Sequence, residues 1–307
     1  MHSNDSGTAA PHDAAGKPDL GKFGVWTTNP VSPEVAAEIE KLGYGAVWVS
    51  SSAPDDLSWV DPIFDRTSTL KAATGIINIW RSPAGPVAEA FHRLEHNHPG
   101  RFVLGIGAGH REAITQWEKP FDALNAYLDD LDRYGVPADR RVLAALGDGI
   151  LKLSARRAAG AHPYLTTPEH TARAREVMGP AAFLAPEQKI VVSEDITEAR
   201  ASGRAALDLY LGLANYRNSW KRIGFSDNDV AKPGSDALVD AVIAYGTADR
   251  IAQRLHQHSA AGADHVAIQV IGATEPLPAL TTLASALDLS PNTHPLHSSG
   301  HIPNGAA

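Results

Sequence analysis

The segment Gly105-Ile106-Gly107-Ala108-Gly109-His110 puts an imidazole directly after a glycine-rich turn. Imidazole is the side chain that ordinarily titrates near neutrality, so His110 is the residue that this sequence best places to exchange a proton with a bound molecule. The glycines invite a dinucleotide fingerprint, but the spacing is GxGxG rather than GxGxxG, and no acid closes a second strand about 20 residues on. The reading that fits is backbone bare of side chains, so that a flat ligand can approach. A second loop, Leu146-Gly147-Asp148-Gly149, joins an apolar run to a helical stretch. Amides at a helix start, with the helix dipole behind them, favour a phosphate there. The alternative is that Asp148 caps its own helix, and an inward carboxylate would oppose an anion. Thr166 and Thr167 either add hydroxyl donors to the same anion or cap the helix opened by Pro168. Trp80-Arg81 offers a flat wall and a cation.

The other histidines carry less. His92, His96 and His98 share helical spacing without the His-Glu-x-x-His pattern, and His256 and His258 face different ways. His294, His297 and His301 sit in a Ser/Pro/Gly tail. No metal site is expected. Zero cysteines exclude disulfides, thiolate metal sites and a cysteine nucleophile. No serine–histidine–acid set stands out either.

These residues are carried by short β-branched runs alternating with longer helical stretches, the signal of βαβ units. Strands are expected at Lys22–Thr27, Ala46–Ser50, Thr74–Ile79, Phe102–Ile106, Arg141–Ala145, Ala161–Leu165, Lys189–Val192 and His265–Val270. One helix shows its period directly: in Pro120–Arg133, Phe121, Leu124, Leu128 and Leu131 share a face. A helix-ending glycine followed at once by a strand recurs at Gly43, Gly160 and Gly262. Eight strands so punctuated predict a single α/β domain, a (β/α)₈ barrel over 21–289, with a purely helical insertion between Val192 and His265. The ends, 1–20 and 290–307, read as disordered. In such a barrel the site lies at the C-terminal strand ends. That rule selects Trp26–Thr28, Ser50–Ser52, Asn78–Arg81, Gly107–Glu112, Leu146–Gly149, Thr166–His170, Ser193–Glu194 and Gln269. His162 and His265 fall at strand beginnings and are expected at the opposite end.

The 307 residues carry a net charge of −8, which argues against nucleic-acid or membrane-surface partners. No run approaches the roughly 18 apolar residues of a membrane span, and no secretory leader is evident, so a cytoplasmic protein is expected.

Thr74-Gly75-Ile76-Ile77-Asn78-Ile79-Trp80 and Pro99-Gly100-Arg101-Phe102-Val103-Leu104-Gly105-Ile106-Gly107 resemble the luciferase-like flavin oxidoreductases. Arg141–Gly147 and Ala261–Val266 are similar to that family's fifth and eighth strands. The resemblance runs from about Lys22 to Leu289. The segments around Gly75–Trp80, Gly105–His110 and His162–Thr171 resemble its deazaflavin-dependent branch, users of coenzyme F420.

That likeness implies the same barrel, a homodimer, and hydride transfer between the deazaflavin and a small organic substrate. It implies a cofactor across the barrel mouth, touching Gly75, Ile76, Asn78, Gly107 and Gly109, with its phosphate near Gly147, Gly149, Thr166 and Thr167. Trp26, Ser51, Ser52, Trp80 and Arg81 would then line the substrate pocket, with His110 as the catalytic group. It also implies a cis Gly75–Ile76 bond. Ser51 and Ser52 stand where the sugar-phosphate dehydrogenase branch has an acid and a histidine, and His110 stands where it has a glutamate. A carbonyl or unsaturated substrate is expected instead of a sugar phosphate. The alternatives are an FMN-dependent monooxygenase and a non-catalytic ligand-binding barrel.

Overall fold

The computed structural model describes residues 16–50, 53–109 and 119–290. Ser51, Ser52 and His110 lie outside them, as does most of the two expected terminal segments. Eleven strands are described: β1 Phe23–Thr27, β2 Ala46–Val49, β3 Lys71–Thr74, β4 Ile77–Asn78, β5 Phe102–Gly107, β6 Arg141–Leu143, β7 Gly160–Ala161, β8 Phe183–Leu184, β9 Glu187–Val191, β10 Ile243–Tyr245 and β11 Val266–Val270. Pairing runs β10-β9-β11-β1-β2-β3-β5-β6-β7-β8, with β4 beside β5. Only Ala185 and Pro186 separate β8 from β9, and the Glu187 N–H still donates to the Pro163 carbonyl at 2.8 Å. The two are one extended run, parallel to β7 on one side and to β11 on the other. The ring therefore closes, as the expected (β/α)₈ barrel.

Three local expectations change. The third strand is not continuous from Thr74 to Ile79. It breaks at Gly75–Ile76, where the peptide bond is cis as the resemblance implies. The stretch between Val192 and His265 is not purely helical, because β10 lies there parallel to β9. β7 stops at Ala161 ahead of Pro163, which cannot donate to a ladder, and β10 occupies the edge of β9 that β7 does not reach. The glycine punctuation also splits into two kinds. Gly43 and Gly262 adopt φ of +87° and +100°, the left-handed turn that ends a helix. Gly160 is instead within a strand, where an added Cβ would lie 1.7 Å from the Phe183 carbonyl oxygen. Its role is close approach of two strands.

Period-two alternation sends one face of each strand into the barrel. Trp26, Trp48, Ala73, Val103, Val142, Ala185 and Ala267 form that interior cluster. Below the mouth, the Trp48 indole N–H donates to His265 Nε2 at 3.0 Å, and His265 Nδ1 pairs with the Gly21 carbonyl at 2.8 Å. His162 stacks on Trp48 with centroids 4.2 Å apart. The opposite strand faces pack on the surrounding helices. Those helices start at capped turns: the Ser32, Ser235 and Thr247 hydroxyls accept from Val35, Leu238 and Arg250 N–H groups. The insertion has its own apolar cluster around Leu207, Leu211, Tyr216, Trp220 and Leu238. Among the described residues no helix is long and apolar enough to cross a membrane.

Candidate active site

A cavity of about 630 Å³ opens at the C-terminal ends of the strands. One wall comes from the third, fourth and fifth strand positions: Gly75, Ile76, Asn78, Ala108, Gly109, Ala144, Ala145 and Leu146, ending at Gly147. The floor is Trp26, His162, Tyr164, Lys189 and Gln269, and the insertion covers it with Ala206, Tyr210, Asn215, Tyr216, Asn218 and Arg222. Thr28 and Ser50 lie at the rim.

The glycine-rich wall works differently from its sequence reading. A Cβ at Gly107 would meet Ile76 Cδ1 at 2.9 Å, and one at Gly109 would meet the Asn78 amide nitrogen at 2.7 Å. The space those glycines leave is filled by Ile76 and Asn78, which themselves face the cavity. Gly107 seats the wall and does not line it. At Gly147 the position of a Cβ is open, with Arg222 Nη2 at 3.8 Å.

Gly147 caps the helix Asp148–Arg157; its carbonyl accepts from the Ile150 and Leu151 N–H groups at 3.1 and 3.0 Å, and the Asp148 and Gly149 amides before them have no intrahelical acceptor. The Asp148 carboxylate is held outward by Arg173 at 2.7 Å, so it does not oppose an anion at this turn. Arg222, from the insertion helix Ala214–Arg222, donates to the Leu146 carbonyl at 3.3 Å and brings a guanidinium to the same place. A helix N-terminus plus a guanidinium beside an open glycine fits a phosphate, and the apolar wall fits a flat ring. Gly149, one step into the helix, is not on the cavity wall.

Thr167 takes the other of the two readings and Thr166 takes neither, since its buried hydroxyl has no partner among the described residues. Both are buried and neither lines the cavity; Thr167 Oγ1 caps the helix Pro168–Met178 by accepting from the His170 N–H at 3.4 Å. Trp80 and Arg81 also lie off the cavity wall. The Trp80 indole N–H donates to the Ala108 carbonyl at 2.6 Å, which makes Trp80 a brace for the wall from behind. Trp26 does line the cavity, and its buried indole nitrogen has no partner. Among the described residues no cluster could hold a metal ion.

Two floor residues were missed or misplaced by sequence reading. His162 follows β7 instead of opening a longer strand, so it faces the cavity rather than the barrel's far end. Burial holds its imidazole down at about 4; Nδ1 lies 2.7 Å from the Ala185 carbonyl, and the buried Nε2 has no partner. Lys189 is 2% exposed. Its ammonium donates to Glu187 Oε1 at 3.2 Å, to the Tyr164 hydroxyl oxygen at 2.5 Å, and to Gln269 Oε1. Burial lowers the Lys189 pKa and raises that of Glu187, each opposed by the partner's charge. Burial likewise holds the Tyr164 phenol well above its ordinary value. The available signal was two charges at i and i+2 inside a barrel strand. The expected strand began at Lys189, four residues short of an inward run that already includes Ala185 and Glu187.

Residues 31–134 match the luciferase-like monooxygenase family. That stretch, about a third of the chain, is similar to the family. The chain is 28% identical over 99 residues to a protein of Gordonia bronchialis named F420-dependent glucose-6-phosphate dehydrogenase, a match covering 29% of each chain. The matched stretch is thus under a third of that relative's length. The fold extends much further. A solved F420-dependent secondary alcohol dehydrogenase, in complex with an F420-acetone adduct, superposes with a TM-score of 0.68 at 14% identity, covering 87% of this chain and 98% of the other. The oxygenating constituent of an FMN-bound Baeyer-Villiger monooxygenase from Pseudomonas putida superposes at 0.62 with 13% identity, covering 88% and 97%. The barrel and its insertion are thus the fold that these solved structures share.

Proposed function

We propose that the chain is a coenzyme F420-dependent oxidoreductase that transfers a hydride between the deazaflavin and a small organic carbonyl or unsaturated substrate. The observation that carries this reading is the cavity wall that ends at Gly147 between a helix N-terminus and Arg222. Ile76, Asn78, Ala108 and Ala144 would flank the ring, and Gly147 with Arg222 would hold the phosphate. When bound, the cofactor supplies the two-electron hydride chemistry. The chain's part is to orient the substrate against that wall, to exclude water with Tyr210 and Tyr216 from the insertion, and to manage one proton. The names of the curated relatives support F420 over FMN, whereas the FMN-bound neighbour supports an oxygen-using monooxygenase as the second reading. The likeness to the family also supports a homodimer in the cytoplasm, which light scattering and fractionation would test.

His110, outside the described residues, is proposed as a proton-exchanging group at the mouth. His110→Ala should leave deazaflavin affinity nearly intact while turnover falls roughly 10²–10⁴-fold, the usual worth of a general acid or base. Titration of the purified chain with F420 and with FMN, followed by turnover on a panel of acceptors, tests the reading. Tight FMN binding with no F420 binding would replace it by the monooxygenase.

A further inference from the structure

The floor holds a chain of exchangeable protons that the reading above does not use. Lys189 Nζ, on β9, donates at 2.5 Å to the hydroxyl oxygen of Tyr164, which follows β7. The Tyr164 hydroxyl in turn donates to Gln269 Oε1 on β11 at 2.9 Å, and the Tyr210 hydroxyl approaches from the insertion at 3.5 Å. Glu187, wholly buried, fixes the ammonium from below and also accepts the Leu165 N–H at 3.0 Å. The ammonium lies 4.1 Å from the Tyr164 ring centroid and 5.6 Å from that of Trp26. Lys189, Tyr164, Gln269 and Trp26 all line the cavity. Two more floor atoms, Trp26 Nε1 and His162 Nε2, are buried without partners. A donor and an acceptor left open on one floor suit a ligand oxygen that can accept and, once protonated, donate.

We infer that Tyr164 delivers a proton to the oxygen of a carbonyl substrate, drawing on Lys189 behind it; this rests on the oxidoreductase reading above. The balance is simple. Hydride from the reduced deazaflavin forms the new C–H bond, and the carbonyl π pair moves to oxygen. That oxygen takes the Tyr164 hydroxyl proton as Tyr164 takes one from Lys189 Nζ. Tyr164 ends neutral as it began, Lys189 ends as a neutral amine, and the product is an alcohol. The hydroxyl need only rotate about its Cζ–Oη bond from Gln269 toward the cavity. Relay suits the two side chains better than ionisation of Tyr164 would. Burial opposes a phenolate at Tyr164 and also weakens the hold of Lys189 on its proton. Among the described residues the groups that contact Lys189 are Glu187 on its own strand, Tyr164, Gln269 and the Trp26 ring, with the Tyr210 hydroxyl behind that of Tyr164, and of these Glu187 is the one that bears a charge. Reduction should therefore slow as pH rises through the depressed Lys189 pKa.

The test uses the full chain. First, with ¹³C-lysine labelling and no cofactor, the Lys189 Cε resonance is assigned by its absence in Lys189→Arg and titrated. It should titrate below the ordinary lysine value and move in Tyr164→Phe. Second, single-turnover oxidation of reduced F420 is followed with a panel of aliphatic and aryl aldehydes and ketones. Tyr164→Phe, Lys189→Met and Lys189→Arg should each lower the rate roughly 10²-fold or more, with deazaflavin affinity within threefold of wild type. Arg keeps the charge and the donors but does not give up a proton, so a merely electrostatic role predicts rescue by Lys189→Arg, and the relay predicts none. The alkaline limb of the pH profile should vanish in both lysine variants.

Rates within threefold of wild type in Tyr164→Phe, rescue by arginine, or no oxidation by any carbonyl while F420 still binds would overturn the relay and leave the cofactor reading standing. Failure of the wild-type chain to bind F420 would overturn both, and it is seen before any variant is made.

Discussion

Arg222 is the clearest case of a residue whose role depends on a distant element. It comes from the insertion, 75 positions after Gly147, and the fold sets its guanidinium against the Leu146 carbonyl at the open glycine. Nothing in the Gly147 loop itself supplies a cation, and Arg173, which reaches Asp148 at its end, is engaged with that carboxylate. If the loop holds the phosphate of F420, Arg222→Met keeps most of the stem and removes the charge. Deazaflavin affinity should fall about tenfold, close to 1.4 kcal/mol. Because Arg222 is exposed, that gap should narrow as ionic strength rises from roughly 10 to 150 mM. Fluorescence titration at two salt concentrations reads both effects. An unchanged dissociation constant at low salt would remove Arg222 from the anion site.

At the scale of elements, what was legible was what local patterning controls. Alternating runs and glycine stops predicted the barrel, and strand ends predicted Trp26, Asn78, Gly109, Gly147 and Gln269 on one cavity. Long-range packing decided the rest. Thr167 and Trp80 have a local use, as cap and brace, and sequence alone does not separate that use from a ligand contact. Lys189 and His162 were misplaced because strand boundaries slipped by a few residues, and in a barrel a slip moves a side chain between floor and far end. Gly160 shows the same limit from another side, since its spacing reads as a helix stop while its function is set by Phe183. Gly160→Ala puts a Cβ 1.7 Å from a backbone oxygen that cannot move without breaking the β7–β8 pair. Overpacking ordinarily costs about 1–3 kcal/mol, and backbone against backbone belongs at or above the upper end. A fall of several degrees or more in Tm is expected, whereas an unchanged melt would show that the two strands separate freely. Gly149→Ala, in open space within a helix, is the matched control and should melt like wild type or slightly higher.

At the scale of the whole molecule, four histidines are buried among the described residues; burial lowers His170 and, more strongly, His162, His258 and His265. His162 and His265 belong to the interior around Trp48. His258 ties the helix Ala248–Ala260 to Thr171 Oγ1 and Gln188 Oε1 at 2.8 and 3.0 Å, so the position that sequence reading passed over joins two helices to β9. Burial pushes His162 and His265 down to about 4 and His258 to about 3. In the unfolded chain each returns to about 6.5, so between those values the unfolded state binds more protons. The contribution of these residues to stability is therefore complete above about pH 6.5 and is lost as pH falls toward 4 and then 3. At pH 5 the loss is about 2 kcal/mol for each of these three relative to neutrality. Urea denaturation at pH 7 and pH 5 measures the sum, but buried carboxylates such as Glu40, whose backbone N–H partners hold its pKa down despite burial, titrate lower in the acid range. A variant separates the two contributions. Gln at position 265 can still accept from the Trp48 indole and donate to Gly21, but it cannot take up a proton. His265→Gln should lose about one histidine's share of the acid dependence between pH 7 and 5, whatever it costs at neutrality. A pH dependence identical to wild type would mean that His265 is already protonated in the fold, which is incompatible with its accepting the Trp48 hydrogen bond.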